Sequence, residues 1–174
     1  MVARVGTLNE ASALAHAVGR RGAVASGIAS GLLGGAAMAL FLAAAASAAG
    51  VPARQVLEAI GTTFVGAGGL GGAERALYGA ALHALVAVAA GLAYTAVVPR
   101  DLPPASAAVV GVGYALFLAG IMTSVVVPLV NPGFREAAQP IGGSWVMAHA
   151  VYGAVLGLWY ARRGRAAGGP ANEP

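Results

Sequence analysis

Four long stretches of this chain carry no charge: Gly22 to Gly50, Ala76 to Val98, Leu102 to Val130 and Ile141 to Ala161. The charged residues gather in the short segments between them. A helix needs roughly 20 mostly apolar residues to cross a ~30 Å hydrocarbon core, and each stretch is long enough. The pattern predicts an all-α, four-helix transmembrane bundle with spans at about 22–50, 76–98, 104–130 and 143–161.

The segments between the spans are patterned too. Val56, Ile60 and Phe64 recur every four residues opposite Arg54 and Glu58, and Pro52 suits the first turn of a helix. This predicts an amphipathic helix at about 52–65, lying in the outer interface as a lid over the bundle. The glycine-rich run from Gly66 to Gly72 reads as a connector, because it lacks the GKS/T ending and the preceding strand of a phosphate-binding loop. A short turn at Pro99–Pro104 makes spans two and three antiparallel neighbours. Pro128 removes a backbone donor and should bend the outer end of span three, and Asn131-Pro132-Gly133 stops it. Trp145 and Trp159-Tyr160 mark the two borders of span four, at headgroup level.

Composition agrees. Hydrophobic residues make up 59% of the chain and charged residues 9%, against roughly 25% charged in soluble proteins. The 174 residues hold one bundle and short tails, with no soluble catalytic domain. We therefore read residues 1–21 as a cytoplasmic N-terminal segment, 22–162 as the transmembrane domain and 163–174 as a disordered cytoplasmic tail. In the first segment Asn9 is expected to cap a helix lying on the membrane surface, with Leu14 and Val18 on one side. The chain has no cysteine, which excludes disulfides, thiolate metal sites and thiol catalysis.

The net charge of +4 would point to nucleic acid in a soluble protein. Here the arginines flank apolar runs, so they speak for topology and anionic lipid headgroups, with no nucleic-acid partner. Arg4, Arg20, Arg21, Arg100, Arg162, Arg163 and Arg165 fall on one side of a four-span chain, and Arg54, Arg75 and Arg135 on the other. The positive-inside rule then puts both termini in the cytoplasm of a bacterial inner-membrane protein. A cleaved signal peptide ending near Ala46-Ser47-Ala48 is the competing reading of span one. Signal cores run about 7–15 residues, far shorter than Gly22–Gly50, and favour a retained span.

The candidate chemistry is a pair of intramembrane histidines. His83 and His149 lie about seven and six residues into spans two and four, which places both ~10 Å below the outer boundary. Small residues share their faces: Gly79, Ala87 and Gly91 with His83, and Gly153 and Gly157 with His149. An intramembrane ionisable group is costly and is a functional-site candidate by default. In the sharp reading, the pair ligates a b-type haem between diagonal helices ~12–14 Å apart, with Arg75 and Arg135 meeting its propionates. In the bland one each imidazole bonds a hydroxyl or a backbone carbonyl, for ~0.6–2 kcal/mol; a metal or proton-relay role is a third. Tyr78, Tyr94, Tyr114 and Tyr152 are packing residues whose hydroxyls need partners. No acid lies inside a span, and Ser144 has neither a nucleophile elbow nor a nearby acid, so carboxylate and serine-hydrolase chemistry are disfavoured.

Three blocks carry a family resemblance: Gly79-Ala80-Ala81-Leu82-His83 with Ala87, Ala90 and Tyr94; Gly113-Tyr114 with Met122 and Val126-Val127-Pro128-Leu129; and Ala148-His149 with Gly153 and Gly157. Over residues 22–161 the chain resembles a group of small, uncharacterised four-span bacterial membrane proteins. The resemblance implies the fold and the two histidine positions, and no activity. Three functions stay open. The leading one is a non-enzymatic accessory or scaffold subunit, or a homo-oligomer, using the faces of Gly27, Gly31 and Gly35 and of Gly153 and Gly157. The others are a bis-His b-haem or metal-binding electron-transfer protein, and a small transporter or channel, against which stand the missing intramembrane charges and inverted repeat.

Overall fold

The computed structural model describes the backbone of residues 3–66 and 68–167 and the side chains of residues 21–66, 68–136 and 139–163. Within them every regular element is a helix, and there is no strand. Helix α1 spans Ala3–Ala48, α2 Gln55–Gly61 and α3 Gly72–Val97. Helix α4 spans Pro104–Ile121, widens into a π turn at Met122–Val126 and ends in the short α5, Val127–Val130. A short α6, Phe134–Ala138, and a 3-10 turn lead into α7, Gly142–Ala167. Residues 21–48, 72–97, 104–130 and 139–163 form four helices long and apolar enough to cross a bilayer. The four-span bundle expected from the charge pattern is the fold.

Several borders differ from expectation. Helix α1 runs unbroken through Asn9, so Asn9 lies inside a helix and not at its N-terminus. Helix α2 is shorter than 52–65: it closes at Gly61, and Phe64 takes a left-handed φ of 71°. Phe64 therefore leaves the face of Val56 and Ile60 and stands 75% exposed, a conformation that costs a non-glycine residue about 1–3 kcal/mol. Helix α7 continues to Ala167, past the start assigned to the tail, and residues 168–174 lie outside the described residues. At Pro128 the missing N–H and the ring's clash with the preceding turn are absorbed by a π turn, in which the Val127 N–H reaches back to the Met122 carbonyl.

Two kinds of contact hold the bundle. The first is close backbone approach at glycine. Gly27, Gly31 and Gly35 of α1 lie against Leu92, Ala87 and Gly91 of α3, so tightly that a Cβ on Gly31 would stand 3.0 Å from Val88 Cα. Gly153 and Gly157 of α7 lie against Gly111 and Ala107 of α4, where a Cβ on either would sit 2.6 Å from a backbone carbonyl carbon. Both glycine faces were expected to seek a partner protein or a second copy. They are closed instead by α3 and α4 of the same chain, because dispersion between backbones is strongest where no side chain intervenes.

The second kind is a set of tyrosine straps. Tyr94 donates to the Ala107 carbonyl at 3.0 Å, Tyr114 to Ala90 at 2.8 Å, Tyr152 to Ala87 at 2.9 Å and Tyr160 to Val98 at 3.0 Å. Each links α3, or the Val98 cap that ends it, to α4 or α7. A helical carbonyl keeps a second lone pair after accepting its own N–H, so it can take a tyrosine without breaking the helix. The rings fill the middle of the bundle, with Tyr94 and Leu156 fully buried and Tyr94 edge-on to Tyr114 and Tyr160. Helices α1 and α4 each pack against α7, α1 also packs against α3, and α3 faces α7 across this aromatic core. Tyr152→Phe keeps the ring and removes one strap; we expect a stability loss of roughly 0.6–1.7 kcal/mol in detergent-monitored unfolding. An unchanged midpoint would show that the hydroxyl contributes nothing there.

Candidate functional site

Both histidines lie toward the end of the bundle that carries α2 and α6, and both are half-buried. They have different surroundings. His83 reaches from α3 to α1, where its Nε2–H donates to the Gly35 carbonyl at 3.0 Å. His149 turns back on its own helix, its Nδ1–H donating to the Trp145 carbonyl at 2.8 Å. A carbonyl only accepts, so the bonded nitrogen of each ring carries a proton. The His149 ring also lies 4.9 Å from the Trp145 ring, which packs edge-on against Phe134 at 5.3 Å.

Among the described residues, the region between the two imidazoles is occupied by packed side chains. Tyr152 follows His149 by less than a turn, and its hydroxyl crosses the core to Ala87, one turn from His83. Its ring lies against Gly34, next to the Gly35 that receives the His83 bond. Tyr152, Ala148 and Met38 are all buried and fill this part of the core. Arg75 sits two turns before His83 and donates to the Leu70 carbonyl at 2.8 Å, and Arg135 is exposed on α6. Among the described residues no three His, Cys, Asp or Glu side chains come together as a metal site.

What the structure builds instead is a lateral crevice. It has a volume of about 240 Å³ and lies between α1 and α3, bounded by Leu32, Ala36 and Ala39 on one side and Ala80 and Ala84 on the other. Leu57 of α2 closes its end, and a second recess of about 40 Å³ continues beneath α2 past Val56 and Ile60. His83 lines both spaces and is the polar side chain in either wall. His149 lines neither.

The roof over this crevice is pinned from two directions. Gly79 of α3 touches the Leu57 carbonyl, and Gly61 of α2 touches the Arg75 carbonyl, so the two helices cross backbone to backbone. From the other side Asn131, 8% exposed, donates its two amide hydrogens to the Ala59 carbonyl at 3.0 Å and to Thr63 Oγ1 at 2.8 Å, and Thr62 Oγ1 lies 3.0 Å from the same nitrogen. Asn131 reads in the sequence merely as the stop of span three. An amide at the end of an apolar run, facing a Thr-Thr pair from another segment, was the signal available. Arg54 Nε lies 2.9 Å from Glu58 Oε1 one turn on, a charge contact without hydrogen-bond alignment; exposed pairs of this kind are worth a few tenths of a kcal/mol.

No curated protein and no solved structure matches the chain. A family model does, across residues 22–168, which takes in all four spans, both histidines and Asn131. This multi-pass membrane protein belongs to DUF6789, a family of unknown function.

Proposed function

We propose that the protein is a non-enzymatic, accessory component of the membrane that takes a hydrophobic molecule from the lipid phase into the crevice between α1, α2 and α3. The observation that carries this reading is the crevice itself: a lateral space of about 240 Å³ with apolar walls, a pinned roof and one polar group, His83. Binding sites are typically apolar concavities with a few placed polar groups, and this one is small enough to favour a single chain over a ring system. The filled aromatic core speaks against a transport path along the bundle axis. The seven-to-three bias of arginines supports a bacterial inner-membrane location with both termini in the cytoplasm.

The reading is tested with a mid-chain diazirine on an octadecyl probe, in vesicles holding the full chain. After illumination, peptide mass spectrometry should find label concentrated at Ala36, Ala39, Ala80 and Ala84, several-fold above the lipid-facing Leu77 and Val109. Ala84→Phe, which fills the space, should abolish that excess. Label spread evenly over all lipid-facing positions would count decisively against uptake.

A further inference from the structure

We propose that the molecule held in the crevice is a membrane-phase alcohol, a single hydrocarbon chain bearing one hydroxyl, and that His83 Nδ1 accepts its hydrogen bond. The inference rests on the crevice being a site of uptake and adds what that site recognises. Its starting point is the bond to Gly35. Because the Nε2–H is given to a carbonyl, the neutral ring presents a lone pair at Nδ1. Nδ1 has no hydrogen-bond partner among the described residues, and it is not sealed in the packing either. His149 differs, its Nδ1 being spent on its own helix. His83, which carries this open acceptor, is thus the polar residue among lining side chains that are otherwise Leu32, Ala36, Ala39, Leu57 and their apolar neighbours.

An acceptor in hydrocarbon selects its ligand by elimination. Water is scarce at ~10 Å below the boundary, and an unpaired polar group there costs several kcal/mol. An ammonium group would bring a charge the apolar wall cannot balance. A carboxylate would bring only acceptors. An amide would bring a carbonyl, for which the wall holds no free donor because the His83 Nε2–H is already engaged. A hydroxyl brings one donor to one acceptor and leaves nothing charged. The volume of about 240 Å³ falls below the roughly 300–1,000 Å³ of pockets for drug-sized ligands, so the space takes the hydroxyl end of one chain while the remainder stays in the lipid.

The test uses two probes with the same mid-chain diazirine, octadecan-1-ol and its methyl ether, in phosphatidylcholine vesicles containing the full-length protein. In the wild type, the alcohol should label the crevice positions on the order of 3–10-fold more than the ether, the discrimination of one net hydrogen bond. His83→Phe should erase the difference. His83→Asn, which can still donate to Gly35 and accept a hydroxyl, should keep part of it. Equal crevice labelling by both probes in the wild type would overturn hydroxyl recognition while leaving uptake intact. Labelling of the crevice by neither would remove uptake as well. A preference that survives in His83→Phe would assign the hydroxyl to another residue. The wild-type comparison needs no variant, so it decides the matter even if His83→Phe fails to fold.

Discussion

Gly153→Leu is expected to separate α4 from α7 and to cost at least about 3 kcal/mol, the upper end of ordinary overpacking. A Cβ at Gly153 would touch the Gly111 carbonyl oxygen and stand 2.6 Å from its carbon and 2.8 Å from Ala115 Cβ. The obstacle is backbone, so no rotamer change in a neighbour can make room. The helices must move apart, and the contact is lost along Ala107 and Gly157 too. Gly113→Ala and Gly120→Ala are the matched controls: nothing lies within 4 Å of a Cβ at either position. Each should leave the protein as stable or raise it by up to about 1 kcal/mol through helix propensity. Thermal unfolding in detergent, followed by circular dichroism, measures all three. A wild-type midpoint for Gly153→Leu would mean that α4 and α7 do not meet at this glycine.

The same glycines show where sequence reading stops. Span number and position were legible because an uncharged apolar run of about 20 or more residues matches the thickness of a bilayer and is rare in water-soluble chains. The small-residue stripes on Gly27, Gly31 and Gly35 and on Gly153 and Gly157 were equally plain. Their occupants were not, because a stripe states that something comes close without stating what. The complements, Ala87 with Gly91 and Ala107 with Gly111, run antiparallel to the stripes they meet, and nothing local in the sequence pairs them. The tyrosines illustrate the same limit. That each hydroxyl needs a partner follows from burial in lipid; that the partners are the carbonyls of Ala87, Ala90, Val98 and Ala107 follows only from the packed helices. For the histidines, depth was readable from spacing, but orientation was not. One turns across to α1 and the other back along α7, so two residues that look equivalent in sequence have unlike roles.

The joint between α5 and α2 gives the second large effect, and it is expected to be local. Asn131→Leu removes the amide that serves the Ala59 carbonyl and the hydroxyls of Thr62 and Thr63. The Ala59 carbonyl keeps the Thr62 hydroxyl at 2.7 Å, but Thr63 Oγ1 loses its amide partner, and a part-buried group left without a bond costs about 1–3 kcal/mol. A helix of seven residues has no stability of its own in isolation, so the loss should fall on the seat of α2 and spare the glycine-packed spans. Amide hydrogen exchange across Val56–Gly61 should then accelerate by roughly 5–150-fold, the same 1–3 kcal/mol expressed as a local opening constant, with the unfolding midpoint of the bundle nearly unchanged. Asn131→Asp should be at least as disruptive, since a carboxylate has no proton to offer the Ala59 carbonyl and meets it with like charge. Because Leu57 closes the crevice and rides on α2, both variants should also weaken the retention of an octadecyl probe. Exchange at wild-type rates in Asn131→Leu would place the grip on α2 in its crossing with Gly79 alone, and would leave the roof independent of span three.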